Sequence, residues 1–158
     1  MAIKPATDLL TQFAHDLSGG EDSLDFALRT KKEQFRYTAD VANAASNYAL
    51  LTTPIGEAIN VTSIDILPMA ALTANDTNFK TIAVSVGDQA GGALAAAFAQ
   101  KTTQITGGTG NWVARTKVNL FTGNQTVAAN SALYLAVTFA MAGVIIPEST
   151  IVVTYQVL

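Results

Sequence analysis

His15 is the only histidine of the chain and is followed by Asp16. An imidazole beside a carboxylate is the pair from which acid–base and nucleophilic catalysis are built. A triad would also need a serine within reach of the ring, and adjacency in sequence does not aim Asp16 at it. The expectation is a solvent-facing histidine on a short helix. The carboxylates of residues 46–158 are Glu57, Asp65, Asp76, Asp88 and Glu148. No two of them stand at alternate positions of one strand, where a glycosidase-type pair would face each other. Asn75-Asp76-Thr77-Asn78 is rich in oxygen like a calcium loop, but the following glycine and the distal bidentate glutamate are missing. Asp76 and Asn78 are therefore expected to bond local backbone and fix a turn. Gly107-Gly108-Thr109-Gly110 is followed by neither Lys-Ser/Thr nor a helix start, so it does not cradle phosphate. Without cysteine there is no disulfide, thiol catalysis or thiolate zinc site, and one histidine cannot build a histidine-rich site. The inventory points away from an enzyme, with no cofactor or metal expected.

Trp112, the single tryptophan, is the one residue suited to a sugar platform. Packing in a core or an interface is the expectation for it. N-x-Thr sequons begin at Asn60, Asn75 and Asn124, and residues 1–13 lack the basic-then-apolar layout of a signal peptide. The longest apolar stretch, 128–146, is interrupted by Asn130, Ser131, Tyr134, Thr138 and Gly143 and alternates like a strand. A soluble protein made in the cytoplasm, with no membrane partner, is expected.

Charge is scarce and uneven. Charged residues are 13% of the 158, about half the usual share. Twelve fall in the first 45 positions and nine in the remaining 113. A body this poor in charge is expected to meet protein over part of its surface. The net charge of −3, with only Lys31-Lys32 as a basic spot, argues against nucleic acid, whose binding needs a basic patch.

Two regions follow. Residues 1–45 form an expected N-terminal arm. Within it Leu9, Leu10, Phe13 and Leu17 share one helical face, with Thr7 as cap and Gly19 as terminator. So short a helix needs a surface, its own domain or a partner's. Residues 21–47 read as strand or helix, with Leu24, Phe26 and Leu28 alternating and Phe35 and Tyr37 on one side of a further strand. Residues 46–158 form the body, and there the pattern is β throughout. Tyr48–Thr52 is a short strand. Ile59, Val61, Ile64 and Ile66 supply the next, with a phase shift that a bulge or two-sided burial explains. Pro68 ends it, and Ile82, Val84 and Val86 alternate in the strand after the 70–78 turn. Residues 93–101 are rich in alanine and read as a helix, or alternatively as an edge strand packing Leu94 and Phe98. The loop 105–111 looks the most flexible. Trp112–Thr122 alternates as a strand, 123–125 turns, and Leu133, Leu135, Val137, Phe139 and Met141 are expected to form the central core. Ile151, Val153, Tyr155 and Val157 share a face of the last strand. Seven or eight strands at this spacing indicate a β-sandwich or jelly roll.

Three stretches carry a resemblance: residues 68–84 (from Pro68 through Asn75-Asp76-Thr77-Asn78 to Val84), Thr126–Leu135 and Ile146–Tyr155. Together they resemble tailed-bacteriophage capsid decoration, or cement, proteins over about residues 58–158. Asn130 replaces the usual glycine, and the first 45 residues lie outside the resemblance. It implies a mainly β chain: a jelly-roll-like antiparallel β-sandwich with an N-terminal extended or helical arm. It further implies a homotrimer on the capsid exterior that binds the major capsid protein. Leu9, Leu10, Phe13, Leu17, Phe26, Phe35 and Tyr37 are the expected partner-binding anchors. The alternative is a glycan-binding head-fibre or tail module dependent on an exposed Trp112 or tyrosine.

Overall fold

The computed structural model describes residues 30–40, 44–53, 57–90 and 94–158. These form eight strands: β1 Thr30–Tyr37, β2 Ser46–Thr52, β3 Ile59–Pro68, β4 Phe79–Asp88, β5 Ala99–Thr102, β6 Val118–Val127, β7 Ser131–Ala140 and β8 Ser149–Val157. All pairings are antiparallel, in two four-stranded sheets ordered β1-β8-β3-β6 and β2-β7-β4-β5. The sheets pack face to face as a β-sandwich.

Alternation writes the core. Ile151 and Val153 of β8 and Leu120 of β6 turn inward from the first sheet, and Ile82 and Val84 of β4 and Leu133, Leu135 and Val137 of β7 meet them from the second. The phase shift in β3 is a bulge, because its partners on both sides skip between Val61 and Ser63. One extra residue lets Ile59 and Val61 on one side of the bulge and Ile64 and Ile66 on the other all point inward.

β1 falls within residues 1–45, yet it pairs with β8 along its whole length from Thr30↔Gln156 to Tyr37↔Ser149. The sheet therefore includes part of the stretch that the sequence grouped with the arm. Phe35 and Tyr37 hold it there by packing on the core.

Several expectations are corrected. Residues 93–101 do not form a helix where they are described. The N–H groups of Ala95 and Phe98 donate to Val86 and Val84, and β5 becomes an edge strand on β4. Pairing with β4, and the edge-on packing of Phe98 on Phe121 at 5.1 Å, outweigh the modest helix preference of alanine. The strand expected over 112–122 begins only at Val118. Arg115 takes a left-handed φ of 61° and donates its N–H to Pro68 O, which turns the chain before the ladder starts. The expected turn at 123–125 lies inside β6, absorbed opposite the β3 bulge. The true reversal is at Asn130, whose φ of 60° suits asparagine. Phe139 and Met141 leave the core. Met141 lies past the end of β7 and is 74% exposed.

Candidate functional site

The topology collects four loops at one end of the sandwich: 38–45, 69–78, 103–117 and 141–148. They are joined to one another and to the strands beneath by hydrogen bonds between residues far apart in sequence.

At the centre is a buried ion pair. Lys80 Nζ lies 3.1 Å from Asp40 Oδ2, with neither side chain meaningfully exposed. Lys80 also donates to Ala44 O at 2.7 Å and sits over the Phe139 ring, 5.5 Å from its centroid. Asp40 Oδ1 accepts from Ile146 N–H at 2.8 Å, and its Oδ2 accepts from the Tyr37 hydroxyl at 3.1 Å. One carboxylate thus joins β1, β4 and the 141–148 loop. Burial, and then the Asp40 charge, push the Tyr37 phenol well above its ordinary range.

The loop 69–78 is fixed by the side chains of Asn75, Asp76 and Asn78. Asn75 Oδ1 accepts the N–H groups of Thr77 and Asn78, closing the local turn. Asp76 and Asn78, expected to act locally, reach across instead. Asp76 Oδ1 accepts from Ile105 and Thr106 N–H at 2.8 and 2.9 Å, and Asn78 Oδ1 accepts from Ala142 N–H. The Thr106 amide, aided by its hydroxyl and by Ile105 N–H, holds the Asp76 carboxyl below the usual carboxylate range.

The loop 105–111 is packed, contrary to its flexible look. Thr109 N–H donates to Thr102 O, Gly110 N–H to Gln104 O, and Trp112 Nε1 to Thr109 Oγ1. A Cβ on Gly108 would lie 2.6–2.7 Å from the backbone of Gln104 and Thr102, so only glycine fits. Trp112 is 2% exposed and bridges Leu72, so it presents no sugar platform.

From this fixed base apolar side chains project. Met69, Ile105, Val113, Met141 and Ile145 are exposed on these loops, and Phe139 is exposed at the adjoining end of β7. At the opposite end only Leu94 and Leu158 are comparable among the described residues. Met141 is held in the left-handed region, φ 54°, which a non-glycine side chain tolerates only under constraint. Three ion pairs lie nearby: Glu148 with Arg36, Lys117 with Asp65 and Asp40 with Lys80. Among the described residues no cluster of three potential metal ligands occurs.

Of the expected anchors, Leu9, Leu10, Phe13, Leu17 and Phe26 lie outside the described residues, as does His15. Phe35 is half-buried on the core. Tyr37 is 3% exposed, so it serves the interior and is withdrawn as a partner anchor. The apolar end was missed because its members come from three separate loops and no local periodicity links them. No family model matches the chain, and no curated protein matches it.

Proposed function

We propose that the protein is a structural virion component, a decoration (cement) protein that sits on the exterior of a tailed-phage capsid. Its apolar loop end, together with residues of the arm, binds the major capsid protein and stabilises the shell. The protein acts as a homotrimer, without catalysis, cofactor, metal, nucleic acid or membrane. Four observations support the reading. The strand order 1-8-3-6 against 2-7-4-5 is the arrangement expected of a jelly roll, an architecture that recurs in viral capsid proteins. The body is charge-poor, and the net charge is negative, which suits a position away from packaged DNA. The resemblance of residues 58–158 adds to both.

The observation that carries the proposal is the concentration of exposed large apolar side chains on one internally bonded end. An exposed apolar patch of this kind marks a protein-binding surface, and burying each side chain contributes about 1.5–3 kcal/mol. A rigid base means that little ordering is needed on binding. The test is binding to shells assembled without the protein. Wild type should co-sediment with them and raise their resistance to heat or chelators. The double substitution Ile105→Asp/Met141→Asp should abolish both effects in a folded protein, and undiminished binding would refute the assignment. For the glycan-binding alternative, buried Trp112 removes the tryptophan platform and leaves only a tyrosine to serve as one.

A further inference from the structure

We propose that Lys80 and Asp40 condense after folding into an intramolecular isopeptide bond, Nζ to Cγ, with release of one water. The bond is a covalent modification of the folded body and stands whether or not the protein decorates a shell.

The chain has no cysteine and so no disulfide to staple its sheets together. Asp40 follows β1 of one sheet, and Lys80 lies in β4 of the other. A bond between them closes a loop across the sandwich. Such closure removes conformations from the unfolded chain.

The amine is delivered from a fixed direction. A Cβ on Gly143 would stand 3.1 Å from Lys80 Cε and 3.6 Å from its Cδ, so glycine at that position leaves the passage for the lysine stem. The Phe139 ring covers Nζ, with its centroid 5.5 Å away. Nζ then meets Asp40 Oδ2 at 3.1 Å, with both side chains withdrawn from solvent. An amine and a carboxyl held in contact react as parts of one molecule, which lowers the barrier to a condensation that is slow between separate molecules. Burial also supplies the driving force. Taking two charges out of water carries a desolvation penalty that can exceed their mutual attraction. The amide carries neither charge, and the released water returns to bulk solvent.

Each reacting atom has a partner suited to the step. Oδ1 accepts the Ile146 N–H at 2.8 Å, a backbone donor placed where negative charge gathers as Nζ adds to Cγ. Oδ2 accepts from the Tyr37 hydroxyl at 3.1 Å, so the departing oxygen has a proton donor beside it. Ala44 O accepts from Nζ at 2.7 Å and can hold the one proton that the amide nitrogen keeps. The step balances without an outside reagent. The ammonium gives up two protons, and the lone pair so freed on nitrogen forms the bond to Cγ. The Cγ–Oδ2 bond breaks with its electrons on oxygen, and Oδ2 leaves with the two protons as water.

The intact mass of the folded full-length chain would be followed during incubation in native buffer. It should fall below the mass of the sequence by one water. Trypsin cuts after lysine and arginine, and within residues 37–101 these occur only at Lys80 and Lys101. An acylated Lys80 resists cleavage, so the peptide 37–101 should appear uncut and one water light. Lys80→Arg keeps the cation but cannot form this bond, and it should retain the mass of its sequence. Tyr37→Phe should slow the loss of water at least about tenfold. A wild type that keeps the mass of its sequence throughout would overturn the proposal, whether or not either variant folds. So would a mass loss that persists in Lys80→Arg, or one that leaves Lys80 cleavable, the mark of a succinimide at an aspartate.

Discussion

The two ends of the sandwich are built from the same strands and differ in what their loops do. At the end with 53–58, 89–98 and 128–130, contacts are short-range in space and inward. Thr53 exchanges hydrogen bonds with Ser131 and accepts one from Gln89, and Leu94 leans over Gly87 beside Tyr134. The other end has longer loops, a buried ion pair, strained residues at Arg115 and Met141, and the exposed apolar side chains. One end closes the fold. The other invests stability in presenting a surface. That contrast teaches that exposure at the second end is not poor packing, since Asp40, Asp76 and Asn78 tie the loops beneath it to one another.

The contrast can be broken by removing its base. Lys80→Met would leave the Asp40 carboxylate buried without its cation and should destabilise the protein by about 3–5 kcal/mol, read from denaturant unfolding. Leu135→Ala, in the core shared by both ends, should cost about 2–5 kcal/mol. If Lys80→Met costs no more than a surface substitution, the loops are not held by the pair.

Met141→Gly sharpens the comparison, because it separates stability from presentation. Relief of the left-handed φ should stabilise the fold by about 1 kcal/mol, while shell binding falls with the lost side chain. A substitution that raised the melting temperature and left binding intact would show that Met141 is merely strained.

Alkaline pH probes the network from the side of Tyr37. A phenol raised in the folded state contributes stability that is fully present below its unfolded pKa, about 10, and is lost as pH rises toward the folded value. Tyr155 adds in the same direction, raised by burial and by neighbouring Glu33. Unfolding free energy should therefore decline above pH ~10, and Tyr37→Phe should flatten that decline. Asp76 gives the smallest effect. Its depressed pKa places its contribution above the unfolded value, near pH 4, to be lost as pH falls through the folded one. Amide exchange at Ile105 and Thr106, corrected for intrinsic rates, should quicken in acid, whereas exchange at Ser131 on the opposite end should not.

What the sequence disclosed follows the range of each interaction. Alternation is local, so β7 and β8 could be read from Leu133, Leu135, Val137, Ile151 and Val153, and the β3 bulge from its phase shift. The same rule misled at Phe139, which is exposed at the end of the β7 ladder, and at Met141, where alternation in the letters continued after the strand had ended. Over 93–101 the helix reading failed and the edge-strand alternative held for β5, because alanine favours helix locally and only distant β4 could overrule it. The apolar end was hidden for a deeper reason. Asp76 finds Ile105, Asn78 finds Ala142 and Asp40 finds Lys80 across separations that no motif spans.

The most direct test is amide hydrogen exchange on the protein free and bound to shells that lack it. Protection should appear at 103–117 and 141–148, with 94–98 and 128–130 unchanged. Protection confined to the opposite end, or none on the apolar loops, would contradict the assignment of that end as the shell-binding surface.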